Sequence, residues 1–282
     1  MPKEPETHFA MNPIVHRRMI ACALTATIGV ALIVLAWVVH QRLGRSSHVT
    51  GWTLLTCVGL LLLLGLRKKL IMLPLIPVRI WTQFHIYTGL FALLVYGLHV
   101  PTIVASGFFE STLSLLFLSV AGSGLYGVWI SRRGAKRLTA IPGEYRFDRF
   151  GWHRRTIADR AAEIVTQIGH SADVPVIATF YRERLQHYFS NRPSFAYVLV
   201  PTSMRRRRIL TELGELDRYF SDNVRQAAGK LAALVRNRDD LDFHYATQLR
   251  MRMWLAMHIA MSVAMIVFVI VHVLMALRFQ GT

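Results

Sequence analysis

Four histidines lie in apolar surroundings at matched spacing. His85 and His99 are 14 residues apart, and so are His258 and His272. Neutral imidazole binds transition metals, moves protons and hydrogen-bonds between helices. At 3.6 residues per turn, 14 residues are just under four turns. Each pair therefore falls on one side of a helix, its members separated by a rise of ~21 Å. A rise of that size places one histidine near each surface of a bilayer, provided the helices cross one.

The composition supplies such helices. Apolar residues make up 53% of the 282 and charged residues only 17%, against ~25% charged in a soluble domain. Five runs have a length near the ~20 residues that cross the hydrocarbon core: Met19–His40, Gly51–Leu66, Trp81–Ala105, Ser111–Ile130 and Met253–Leu277. The first is too long for a signal-peptide core and is expected to be a retained helix. Leu70–Pro77 is apolar but broken by Pro74 and Pro77, which suits a turn or an extension of the second span. The expected organisation is four spans in residues 1–132, a polar insert at 133–251 and a last span in 252–282. The fold expected is an all-α transmembrane bundle with a small mixed α/β insert. In that insert Val174–Phe180 and Phe195–Val200 read as strands, and Arg208–Tyr219 and Asp222–Val235 as helices.

Charge gives a direction. With the N-terminus inside, the inner segments 1–18, 67–80 and 131–252 hold 30 of the 33 Lys and Arg residues, and the outer ones only Arg42, Arg45 and Arg278. The excess on one side is the pattern of cytoplasmic loops. The expectation is an integral protein of a bacterial inner membrane, N-terminus cytoplasmic and C-terminus periplasmic. The net charge of +17 then reads as that cytoplasmic excess, with the run Arg205–Arg208 facing acidic lipid or an acidic partner rather than nucleic acid.

Spans 3 and 5 run in the same direction under this orientation. His85 is the fifth residue of its span and His258 the sixth, so these two share the inner level and His99 shares the outer level with His272. One histidine from each of two facing helices, at each of two depths, matches the two axial positions of a haem iron. Two b haems are expected, His85/His258 inner and His99/His272 outer. A lone intramembrane histidine also serves as an interhelical hydrogen-bond partner. Zinc would need more ligands at each level, and the spans contain no Asp or Glu. Cys22 and Cys57 lie inside apolar runs and suit packing; no C-x-x-C-H is present for covalent haem. Gly51 and Gly65, Gly89 and Gly97, and Gly122, Gly124 and Gly127 would let a macrocycle or a helix approach closely, with ordinary packing an equal reading. Arg79, Arg250 and Arg252 stand where inner propionates would need cations, and Arg278 where outer ones would; snorkelling to the interface explains them equally.

With its paired histidines 14 apart on two helices, the chain resembles the dihaem transmembrane cytochromes b. These include the cytochrome b of quinol–cytochrome c oxidoreductases and the membrane domains of ferric reductases and NADPH oxidases. The resemblance covers the membrane half. It implies a four-helix haem-binding core made of spans 2–5, with His85 and His99 on its second helix, His258 and His272 on its fourth, and span 1 added as in ferric reductases. Two features depart from the pattern. The flavin and nicotinamide module that ferric reductases carry after the last span is not expected here, and the insert has no G-x-G-x-x-G; no P-E-W-Y quinol-site signature occurs either.

The function expected is electron transfer across the bilayer between a quinone pool and a redox partner, within a larger complex. Lacking other cofactor motifs, the chain would exchange electrons with a c-type cytochrome, an iron–sulfur protein or a flavoprotein. His40, His48 and Glu110 outside, and Asp240 and His244 inside, are candidates for a quinone's protons. A stand-alone transmembrane reductase is one alternative and a non-redox transporter or scaffold another.

Overall fold

The computed structural model describes residues 46–69, 77–100, 102–138, 145–168 and 173–279, with residues 23, 27, 30 and 31. The expected first span and His40 lie outside these, apart from those four single positions. Every described element is a helix. α1 is Ser46–Lys69, α2 Val78–His99 and α3 Phe108–Leu138. A 3-10 turn at Phe147–Arg149 leads into α4, Phe150–Thr166. α5 (Val174–Phe180) passes through a π turn, Tyr181–Leu185, into α6 (Gln186–Ser190). α7 (Phe195–Leu199), α8 (Met204–Leu216), a 3-10 turn at Asp217–Tyr219 and α9 (Asp222–Phe279) complete the order.

Among the described residues three helices are long and apolar enough to cross a membrane: α1, α3 and α9. α9 has 58 residues, which at ~1.5 Å each far exceed a hydrocarbon core of ~30 Å. Its apolar part is Met253–Leu277, where Ile259, Val263, Val267, Ile270 and Leu274 recur at helical spacing and face outward, exposed. α2 has the length to span, but Arg79, Thr82, Gln83, His85 and Thr88 make its first half more polar. α2 begins at Pro77 because a proline there forfeits no helical hydrogen bond. Before α3 the chain turns at Gly107 with φ 101°, a left-handed conformation that costs glycine little.

The described residues form two compact units, one from residues up to 126 and from 258 onward, the other from 127 to 257. In the first, Cys57 and Val58 of α1, Ala92 and Tyr96 of α2, Phe117 of α3 and Met265 of α9 make one buried cluster. Tyr96 stacks on Phe117 at 4.5 Å, and Phe109 on Phe268 at 5.3 Å. Four helices thus contribute to one core.

The second unit corrects the expected mixed α/β insert: every element among its described residues is a helix or helical turn. Val174–Phe180 is rich in β-branched residues, but Pro175 occupies the first helical turn, where its missing N–H is harmless. Its buried residues, Ile177 and Phe180, recur at helical spacing. Phe195–Leu199 is held as a helical turn by Ser194, whose hydroxyl accepts the Tyr197 N–H. The core runs along α9 through Val224, Ala228, Leu231 and Val235.

Asp239 follows that stripe, 14 residues before Met253 and outside the apolar part of α9. Burial pushes its carboxyl up to about 6; Arg206 at 3.1 Å opposes the shift, and Asp240 and Asp242 add to it. The folded chain therefore keeps a proton that an unfolded aspartate releases near pH ~4. This contribution to stability is complete below pH ~4 and is lost as pH rises through about 6. Asp239→Asn is expected to flatten the fall in stability over that window, read by thermal unfolding of the full chain against the parent. An unaltered slope would place the titration on another group.

Candidate functional site

α2 and α9 carry the four histidines, and the structure brings them together in the pairs expected. His99 faces His272 with ring centres 6.5 Å apart and planes at 89°. His85 and His258 lie within electrostatic reach of each other. Both pairs belong to the first unit.

Each pair has a wall built from a helix outside α2 and α9. The Thr50 hydroxyl of α1 lies 3.0 Å from Nδ1 of His99. A Cβ added to the next residue, Gly51, would come 3.2 Å from Cε1 of the same ring. α3 repeats the device on the other pair. Ser123 Oγ lies 2.6 Å from Nδ1 of His258, and a Cβ on Gly124 would stand 3.8 Å from its Cε1. A hydroxyl followed by a glycine thus lies against one imidazole of each pair, and at Gly51 the bare backbone lets the ring come closer than a Cβ would allow, whereas at Gly124 a Cβ would make an ordinary contact. Such a contact at Nδ1 sets the tautomer and leaves Nε2 for a ligand. Nδ1 of His85 is buried without a hydrogen-bond partner among the described residues.

A cavity of about 450 Å³ opens at the His99/His272 level, within the ~300–1,000 Å³ of cofactor pockets. Leu54, Val58, Leu113, Phe117 and Val269 give it apolar walls, and His48, Glu110 and Ser114 are among its polar lining. No group of three or more His, Cys, Asp or Glu side chains that could hold a metal ion is gathered among the described residues. Each level instead offers two nitrogen ligands, the number that the axial positions of a haem iron take. A metal bound between two imidazoles at the usual ~2.0–2.1 Å would put their ring centres roughly 6–6.5 Å apart. The His99/His272 pair, at 6.5 Å beside an apolar cavity, has a spacing compatible with a metal between the two rings.

The remaining expected residues fare differently. Of the outer proton-exchange candidates, His48 and Glu110 line the cavity with His99 and His272. Arg79 is exposed in the first turn of α2, and Arg278 is exposed in the last turn of α9. Arg252 belongs to the second unit and stacks over Phe147 at 4.0 Å. Arg250 donates to the Leu199 carbonyl. His244 is buried against Tyr145, with ring centres 5.1 Å apart, and burial lowers its pKa against the pull of Asp240. Among the glycines, Gly127 lies against the Trp254 ring, while a Cβ on Gly65, Gly97 or Gly122 would meet nothing within 4 Å. Thr50 and Ser123 were missed from sequence; the only signal is a hydroxyl–glycine pair in or beside an apolar run.

Comparison with protein-family models, curated proteins and solved structures found no match.

Proposed function

We propose that the chain is a dihaem b-type membrane cytochrome, with His85 and His258 holding one haem and His99 and His272 the other. It moves electrons across the bilayer between a quinone pool and a redox partner, as a subunit of a larger complex. The observation that carries the reading is the outer pair: two imidazoles 6.5 Å apart on different helices, beside a cavity of about 450 Å³ with apolar walls. Haem held by these histidines would supply a one-electron iron couple, which suits electron transfer. The histidines hold the iron. Thr50 and Ser123 keep one ring of each pair in register, and the aliphatic walls exclude water. His48 and Glu110 are placed to exchange protons with a quinone at the cavity. α2 crosses the membrane in this reading, supported by Phe84, Leu90, Leu94 and Leu98, which it turns outward. The distribution of Lys and Arg supports a cytoplasmic N-terminus in a bacterial inner membrane.

The test is the reduced-minus-oxidised spectrum of the full chain purified from haem-replete cells. A b-type α-band with two haems per chain is expected; a preparation without that band sinks the proposal. Thr50→Val is expected to weaken retention of the outer haem, and Ser123→Ala that of the inner one, each by ~10–100-fold. Titration of apo-protein with haemin measures this. Gly51→Ala forces His99 to shift by a few tenths of an ångström, so its effect should fall on the outer haem alone.

A further inference from the structure

The basic run at 205–208 pointed to acidic lipid by composition, but the structure assigns most of its charge elsewhere. Arg206 pairs with Asp239 at 3.1 Å, Arg208 with Glu212 at 2.9 Å, and Arg205 lies over the Tyr188 ring. Arg207 is exposed and makes no ion pair among the described residues. Just ahead of this run lies an apolar tip. Phe195 is 61% exposed, Leu199 48%, Val200 67% and Met204 74%. Four large apolar side chains within ten residues make a patch that a soluble surface rarely leaves bare.

The place of the tip on α9 identifies its occupant. Arg250 donates to the Leu199 carbonyl at 3.0 Å, and Arg250 is three residues, ~4.5 Å of helix, before Met253. Met253 begins the uncharged stretch that reaches Leu277. The tip therefore stands at the level where α9 passes from polar to apolar, which in a bilayer is the headgroup boundary. The α8 contact with α9 lies farther from that boundary, at Asp239. Behind the apolar tip Arg207 is the exposed cation of this run without an ion pair among the described residues, a charge for acidic headgroups where a segment inserts shallowly. Arg250 and Arg252 add charge at the boundary itself.

We propose that Phe195–Met204 is a membrane-docking tip that inserts into an acidic bilayer surface. It rests on the membrane reading of α9 and is independent of haem, so loss of either proposal leaves the other standing.

The experiment uses the full chain, carrying benzoylphenylalanine in place of Phe195, in vesicles of phosphatidylglycerol and phosphatidylcholine. The same group in place of Tyr219, 64% exposed in the 3-10 turn after α8, is the reference. Irradiation and mass spectrometry should find lipid adducts several-fold more often at 195 than at 219. The yield at 195 should fall several-fold in pure phosphatidylcholine. The C-cap position Val200, outside the helix of α7, carries the same probe in case position 195 disturbs folding. Lipid adducts no more frequent than at 219, adducts to protein instead of lipid, or indifference to the acidic lipid would each overturn the proposal.

Discussion

Replacing His99 or His272 with leucine is expected to remove the same haem, so that each variant loses about half of the α-band. Replacing both removes no more than either alone. His85→Leu and His258→Leu behave likewise for the other haem, whereas combining His99→Leu with His258→Leu abolishes the band. The expectation follows from position: His99 faces His272 at 6.5 Å, and His85 lies within electrostatic reach of His258. A ligand pair acts as a unit, so losses within a pair do not add while losses across pairs do. The measurement is haem content and difference spectra of the four single and three double variants. Loss of both haems from His99→Leu with His272→Leu would break the pairing. Retention of both haems in every single variant would remove the histidines from the ligand set.

Arg238→Leu is expected to destabilise the second unit by ~3–5 kcal/mol, the cost of breaking a buried ion pair by removing one partner. Arg238 is 1% exposed. Its Nε donates to Asp242 at 3.0 Å, and its other nitrogens donate to the carbonyls of Phe189 and Asn191. Removing it takes the donor from the buried Phe189 carbonyl, from the part-buried Asn191 carbonyl and from the Asp242 carboxylate. Burial already raises the Asp242 pKa, with Arg238 as the main opposing influence, so the aspartate in the variant should bind a proton. Arg238→Leu with Asp242→Leu should recover much of the loss, because an apolar pair can replace a buried ionic one. Thermal unfolding of the full chain would register the single variant as a drop of roughly 10–20 °C for a unit of this size. A change within a few degrees would mean that the pair contributes little.

The stripe that carries this pair shows where pattern reading fails. Val224, Ala228, Leu231 and Val235 continue at helical spacing into Arg238 and Asp242. By residue type the last two belong on a solvated face. They are buried because the carbonyls at the end of α6, nearly fifty residues earlier, need donors there. The insert's short β-branched runs failed for a related reason. Over five to seven residues a strand and a helical turn bury comparable side chains. Pro175 and the Ser194 cap tip the backbone towards helix.

The two levels of histidine were legible because a helix has a fixed pitch. Fourteen residues return a side chain to nearly the same face whatever the surroundings, so the sequence by itself determined that His85 and His99 share one face of their helix and His258 and His272 one face of theirs. The apolar content of α1, α3 and the end of α9 is equally local and needs no partner to be read. What stands opposite each ring was decided only by the tertiary structure. The distances of Thr50 from His99 and of Ser123 from His258 join residues 49 and 135 positions apart. No periodicity encodes a contact of that range; it exists because packed helices bring distant faces together. The same is true of the cavity, which is a property of the space between helices.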